Sequence, residues 1–191
     1  MGYHHGDLRA ALIRASFEQL AAHGLQGFSV AAVARRAKVS AAAPYRHFPD
    51  RGHLLSAVSG AAAQELRTEV IAAADAAAPD PRSRLAAVAG AYVRYVLRTG
   101  AGFPVIFAAE LYEIPDDARR EQTRALITTL MELAAGCSSF AESMHLVELI
   151  VAVAHGYTSL FTDGFFDHGA RSVDDVAARA TDAARALIHP C

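Results

Sequence analysis

Signals that start and stop α-helices recur along the whole 191-residue chain, and no stretch alternates apolar and polar residues at the period a half-buried strand requires. The chain is therefore expected to be all-α. Ser29, Ser40, Asp50, Asp80 and Ser172 stand where a side-chain oxygen can accept from the first unpaired N–H groups of a helix. Gly24 and Gly136 stand where helices commonly end on a left-handed residue. These marks cut the sequence into about nine helices, with expected spans 7–23, 29–37, 40–47, 50 to beyond 70, 81–99, 103–111, 115–135, 139–166 and 172–189. Leu55, Val58, Ala62, Leu66 and Val70 give the long fourth span one apolar face. Ser172 and Asp175 have the spacing of a capping box at the start of the last.

Composition supports this reading. Hydrophobic residues make up 53% and charged residues 20%, and alanine, the best helix former, is the commonest type. The run "APDPRSR" at 78–84 is the clearest linker, with Asp80 and Pro81 placed to cap and open the helix that follows. No apolar run approaches the roughly 18 to 20 residues that span a bilayer, and the opening "MGYHHGDLR" turns polar before a signal-peptide core can form. A cytoplasmic protein with no membrane partner is expected. Cys137 and Cys191 are too few for a disulfide framework or a zinc site, so unpaired thiols are expected and neither metal nor cofactor.

The net charge of −2 hides an asymmetry. Residues 1–55 hold seven cations against three anions, a balance of +4, while the remainder holds 11 cations and 17 anions. A basic head on an acidic body points to a polyanion partner for the head, with a merely solvated basic face as the alternative.

The stretch "VSAAAPYRHF" at 39–48 places Pro44 inside an expected short helix. With Ser40 as N-cap, Pro44 falls in or just past the first turn, where most N–H groups lack a helical partner, and so costs little. So short a helix needs pinning, a role expected of Tyr45 and Phe48. Outward it would offer Ala41, Ala42 and Ala43 beside Arg46 and His47. Two short helices joined by a tight turn, the second small-faced and flanked by cations, is the layout of a helix-turn-helix that enters a major groove.

The segment "FSVAAVARRAKVSAAAPYRHFPDRGHLL" resembles the DNA-binding domain of TetR-family transcriptional regulators over roughly residues 6–66, with the helix-turn-helix at about 29–48. The resemblance implies a three-helix N-terminal domain followed by a larger helical domain, at 80–191, for ligand binding and dimerisation. It implies that Ser29 caps the second helix and reaches phosphate, and that Ser40, Ala41, Ala42, Ala43, Pro44, Tyr45 and Arg46 face the bases. Tyr45 and His47 would hold the backbone, and Arg51 stands where the family commonly has a phosphate-binding lysine. Lys38 occupies the turn position where the family usually has glycine, at a cost of roughly 1 kcal/mol for a left-handed non-glycine residue, and is a further candidate for phosphate. More weakly, "AHGYTSLFTDGFF" at 154–166 and the "YHHGDLR" opening resemble a subgroup named for a Trp-His-Gly motif, with Ala154 in place of the tryptophan.

The expected function is that of a sequence-specific transcriptional regulator, a repressor released from a palindromic double-stranded operator by a small-molecule effector. Tyr92, Tyr95, Phe103 and Phe107 are candidate walls of an effector cavity and Glu110, Glu148 and His155 its candidate polar groups. A homodimer is expected through the helices at 139–166 and 172–189, where Ala152, Gly156 and Ser159 form a small-residue row that serves close contact either between subunits or within one. The rival readings are an effector-independent DNA-binding protein and an enzyme. The enzyme has little behind it, because no nucleophile–base spacing, phosphate loop or tight metal cluster accompanies the histidines.

Overall fold

The computed structural model describes residues 8–166 and 172–188. It contains α1 (Leu8–His23), α2 (Val30–Arg36), α3 (Arg51–Ala76), α4 (Pro81–Thr99), α5 (Phe103–Ile106), α6 (Asp117–Ala135), α7 (Phe140–Thr162) and α8 (Val173–Leu187), with 3-10 turns at Pro44–Arg46 and Ala109–Leu111. No strand occurs among the described residues, and the all-α class read from the helix signals holds. Cys191 and most of the "YHHGDLR" opening lie outside the described residues.

The helix ends follow local chemistry. Gly24 takes φ +64° and donates to Leu20 O at 2.8 Å, closing α1. Asp50 Oδ1 accepts from the His53 N–H at 2.9 Å and Asp80 Oδ1 from the Ser83 N–H at 2.8 Å, so each caps the helix that follows. At α8, Ser172 Oγ accepts from the Asp175 N–H at 3.2 Å while Asp175 accepts from the Ser172 N–H at 3.0 Å, which is the capping box. The cap of α6 is Asp116, whose Oδ1 accepts from the Arg119 N–H at 2.9 Å; Pro115 precedes the cap and does not open the helix.

Three expected helices are shorter, the one over 139–166 ending at Thr162 before Gly164 at φ +73°. Over 40–47 only the 3-10 turn Pro44–Arg46 forms. Pro44 has no N–H, and Ser40 O instead accepts from the Ala43 N–H at 3.0 Å. The i→i+3 pattern continues with Arg46 donating to Ala43 O and His47 to Pro44 O. The span 103–111 splits because Phe107 leaves helical geometry at φ −114°, ψ +33° and Ala108 is extended before the second 3-10 turn.

The chain divides into two compact units. One comprises the chain up to Ala63 together with Thr99–Thr123, and the other Gln64–Arg98 with everything from Arg124 onward. In the first, Leu12, Leu20, Val33, Leu54, Leu55 and Val58 are fully buried, joined by Ile106 and Leu111 from the later segment. Gly100 (φ +67°) marks the closest approach there: a Cβ would lie 2.5 Å from Ala21 N and from Leu20 C. The core of the second holds Leu66, Leu85, Tyr92, Tyr95, Leu126, Ile150 and Val176. At Gly90 a Cβ would meet Thr181 Oγ1 at 2.4 Å, so α4 and α8 touch backbone to side chain.

One expectation about apolar runs is overturned. Ala141–Thr162 is long and apolar enough to cross a membrane by length and composition, with mean hydropathy 1.3 over its most apolar window. It is nevertheless a helix that packs against α8 and buries Val147, Ile150 and Ala154, and it carries Glu142, His145 and Glu148.

Candidate nucleic-acid interface

The first unit presents a tip built on α2 and the 3-10 turn. Ser29 is the positional N-cap of α2, with extended backbone, and its carbonyl accepts from Val33 N–H at 3.0 Å. Its hydroxyl makes no capping bond and is exposed. After α2 the chain reverses at Lys38, which adopts φ +57°, the one positive φ at a non-glycine among the described residues. The left-handed turn foreseen at this position is therefore present without glycine, and the exposed ammonium chain stands on its outer side.

Beyond the turn, Ser40, Ala41, Ala42, Tyr45, Arg46 and His47 are exposed. Ala43 and Pro44 are buried, and Phe48 is only 4% exposed. The element is thus pinned by Ala43, Pro44 and Phe48. Tyr45, expected to share that task, is 55% exposed with its phenol facing outward. Pro44 and Phe48 are linked across four residues, the Phe48 N–H donating to Pro44 O at 2.9 Å, and both are buried, so they take the inward side of this short element and leave Tyr45 outside. Arg9 of α1 sits over the Phe48 ring, 5.4 Å from its centroid, and fixes the anchor from behind.

Arg51, at the first position of α3, is the most heavily engaged of the predicted residues. Its Nε donates to Phe28 O at 3.3 Å and its Nη2 reaches Leu25 O at 3.5 Å, both in the α1–α2 connection. The guanidinium lies 5.6 Å from the Phe28 ring centroid, and its Nη1 forms an ion pair with Glu110 on the second 3-10 turn. Asp50, beside it, is held below its ordinary carboxylate range by hydrogen bonds from the His53 ring and backbone. Sequence reading missed the Arg51 and Glu110 pair. The two lie 59 residues apart, and no local pattern joins them.

The seven candidate effector residues are distributed over both units. Phe103 and Phe107 stack with centroids 5.2 Å apart in the first, where Glu110 also lies. In the second, Tyr92 and Tyr95 are buried core residues. The Tyr92 hydroxyl lies 3.2 Å from His155 Nδ1, which joins two of the predicted residues directly. Glu148 is exposed and faces His145 one turn away at 3.8 Å. A cleft of about 380 Å³ on the second unit is lined by other residues, among them Arg67, Ile71, Arg84, Thr129 and Glu132. Arg67 there donates to Thr129 Oγ1 at 2.9 Å and Arg84 to Asp75 at 2.9 Å. No group of three or more metal-ligating side chains occurs among the described residues.

Two family models match the chain. Residues 12–58 match bacterial regulatory proteins of the tetR family, and residues 85–184 match the tetracyclin repressor-like C-terminal domain. No protein of curated function matches. Among solved structures, a protein of unknown function from Rhodococcus sp. RHA1 is similar at TM-score 0.73 and 27% identity, over 98% of each chain. A transcriptional regulator from the same source is similar at TM-score 0.62 and 22% identity, over 95% of each. A fatty acid degradation regulator from Bacillus halodurans is similar at TM-score 0.65 and 13% identity, over 94% of this chain and 99% of that one; these last two likenesses concern the fold alone. With the exposed helix-turn-helix tip and both halves of the chain matched, the protein belongs to the TetR family of DNA-binding transcriptional regulators.

Proposed function

We propose that the protein represses transcription by binding a palindromic operator as a homodimer and releases it when a small molecule binds. The observation that carries the DNA reading is the tip itself: exposed Ala41, Ala42 and Arg46 on a turn clamped from behind by Pro44 and Phe48. Small side chains let the backbone approach base edges, and Arg46 supplies the forked donor that pairs with guanine O6 and N7. Ser29, Lys38, Tyr45, His47 and Arg51 are assigned to phosphates, which set register and carry no sequence information. Ser40, Ala43 and Pro44 shape the element that carries the readers.

Self-association is proposed through α7 and α8. Only 22% of the most apolar window of α7 is buried in the single chain, and Met144 and Leu160 on it are exposed. A Cβ at Gly156 would meet nothing within 4 Å, and Ala152 and Ser159 are exposed, so the small-residue row faces outward rather than into its own subunit. A second copy fits this face, since twofold pairing also supplies two heads at roughly 34 to 36 Å or a multiple. His155 and Gly156 are the residues on which likeness to the Trp-His-Gly subgroup rests. The effector is assigned to the helical body, with the Tyr92 and His155 pair as its first polar contact.

Selection of random duplexes by the purified protein, followed by sequencing, tests the reading. Inverted repeats whose half-sites lose preference at one position in Arg46→Ala are the expected result. Recovery of unrelated sequences would overturn it.

A further inference from the structure

Each nitrogen of the Arg51 guanidinium has a partner in the DNA-free chain, and the partners are of two kinds. The carbonyls of Leu25 and Phe28 hold Nη2 and Nε, while the carboxylate of Glu110 holds Nη1. Carbonyl contacts orient the fork without neutralising it. A carboxylate does what a phosphate oxygen does: it presents an anion to the same N–H edge. Among the described residues Arg51 is the one partner of Glu110, and both side chains are partly open to solvent, at 38% and 44%. Glu110 is also well placed rather than dangling. Just before it, Ile106 O accepts from Ser59 Oγ at 2.7 Å, and just after it Leu111 O accepts from Arg119 Nη2 at 3.0 Å, so the 3-10 turn bearing Glu110 is tied to α3 and α6.

We propose that Glu110 sets the affinity of this regulator for DNA by competing with an operator phosphate for Arg51. The inference rests on the reading of Arg51 as a phosphate contact. In the free protein Glu110 occupies the anion-binding edge; on the operator the phosphate takes that edge and Glu110 turns to solvent, while the Leu25 and Phe28 carbonyls keep the guanidinium aimed. Exchange of one anion for another makes this contact weaker than an unopposed one. It also flattens the salt dependence, because a counterion leaves the DNA while Glu110 recruits a cation.

The experiment uses full-length protein and the selected operator, with affinity measured by fluorescence anisotropy over a salt series for wild type, Glu110→Gln, Arg51→Ala and the double variant. Exposed ion pairs of this kind hold with strengths that translate into roughly two- to fivefold in affinity. Glu110→Gln is therefore expected to bind about two- to fivefold tighter, with a log–log salt slope steeper by about one. Arg51→Ala is expected to bind more weakly, and the double variant to match Arg51→Ala. Thermal unfolding of each variant checks that the fold is kept, and Glu110→Ala serves as a second replacement if the glutamine variant melts early. Tightening by Glu110→Gln that persists without Arg51 would be a general charge effect and would overturn the proposal. Unchanged or weaker binding by Glu110→Gln, alongside weakened Arg51→Ala, would overturn the competition while leaving the phosphate contact standing. Full affinity in Arg51→Ala would remove the phosphate reading and the competition together.

Discussion

The turn Pro44–Arg46 and the helix Phe140–Thr162 both leave side chains uncovered, and they do so in opposite ways. The turn spends its apolar residues inward, on Pro44 and Phe48, and exposes alanines, a phenol, an arginine and an imidazole. Helix α7 is apolar on more sides than its own subunit can cover: it buries Val147, Ile150 and Ala154 and still shows Met144 at 46% and Leu160 at 38%. The chemistry of each remainder differs accordingly. A small, stiff, cationic tip suits a polyanion whose grooves admit a narrow element, whereas an uncovered apolar helix suits a surface of its own kind. The tip also needs rigid support because it is too short to hold itself, and α7 does not.

That difference is broken most severely at the two glycines. Gly100 lies in the segment that supports the tip's unit, with φ +67° and no room for a Cβ against Leu20 and Ala21. Gly100→Ala should therefore destabilise the protein by about 2 to 4 kcal/mol, combining left-handed strain with backbone displacement. Urea unfolding followed by circular dichroism measures it. A loss below about 0.5 kcal/mol, the size of an ordinary surface change, would show that the approach of 99–101 to α1 is not rigid.

Gly156 is the opposite case. Nothing lies within 4 Å of its missing Cβ, and Ala152 and Ser159 beside it are exposed, so the single chain should tolerate Gly156→Leu, with up to about 1 kcal/mol gained in helix propensity. At the proposed α7–α8 interface the same leucine would intrude on a close contact. Sedimentation equilibrium should show the dimer dissociation constant raised at least about tenfold, or about 1.4 kcal/mol. A dimer as tight as wild type would move the interface away from this row.

What the sequence made legible was local. Caps at Asp50, Asp80 and Ser172 are read over three residues, and each forms as expected. The left-handed residue at Lys38 was legible only through the family resemblance, which has a glycine at that turn position. The direction of Tyr45 was not legible, because it depends on whether Pro44 leaves an α or a 3-10 turn behind it. Nor was the joining of Thr99–Thr123 to the head, or the pairing of Arg51 with Glu110, since both arise from packing between distant segments. Likewise, Glu148 looked like a polar interruption of an apolar helix, yet it lies exposed beside His145. Periodicity counts apolar residues but does not say which face remains uncovered.

The smallest expected effect probes the same support through acid. Asp116 caps α6 and accepts from Ser56 Oγ of α3 at 2.7 Å, so one carboxylate ties the first turns of these two helices, which lie in the first unit. Burial alone would raise its pKa. The hydrogen bonds from the Arg119 N–H and from Ser56, with the charges of Arg119 and Arg9, outweigh burial and hold it below its ordinary 3.8. A carboxyl whose pKa is lower folded than unfolded stabilises the fold at pH values above 3.8, and that contribution is lost as pH falls through the lower folded value. Asp116→Asn should thus be less stable than wild type at pH 7 by no more than about 1 kcal/mol, and the gap should narrow as pH falls from 5 towards 3. Urea midpoints for both proteins across that range provide the measurement. A gap that stays constant with pH would mean that Asp116 acts through its shape and not its charge, and the link between α3 and α6 would then be steric.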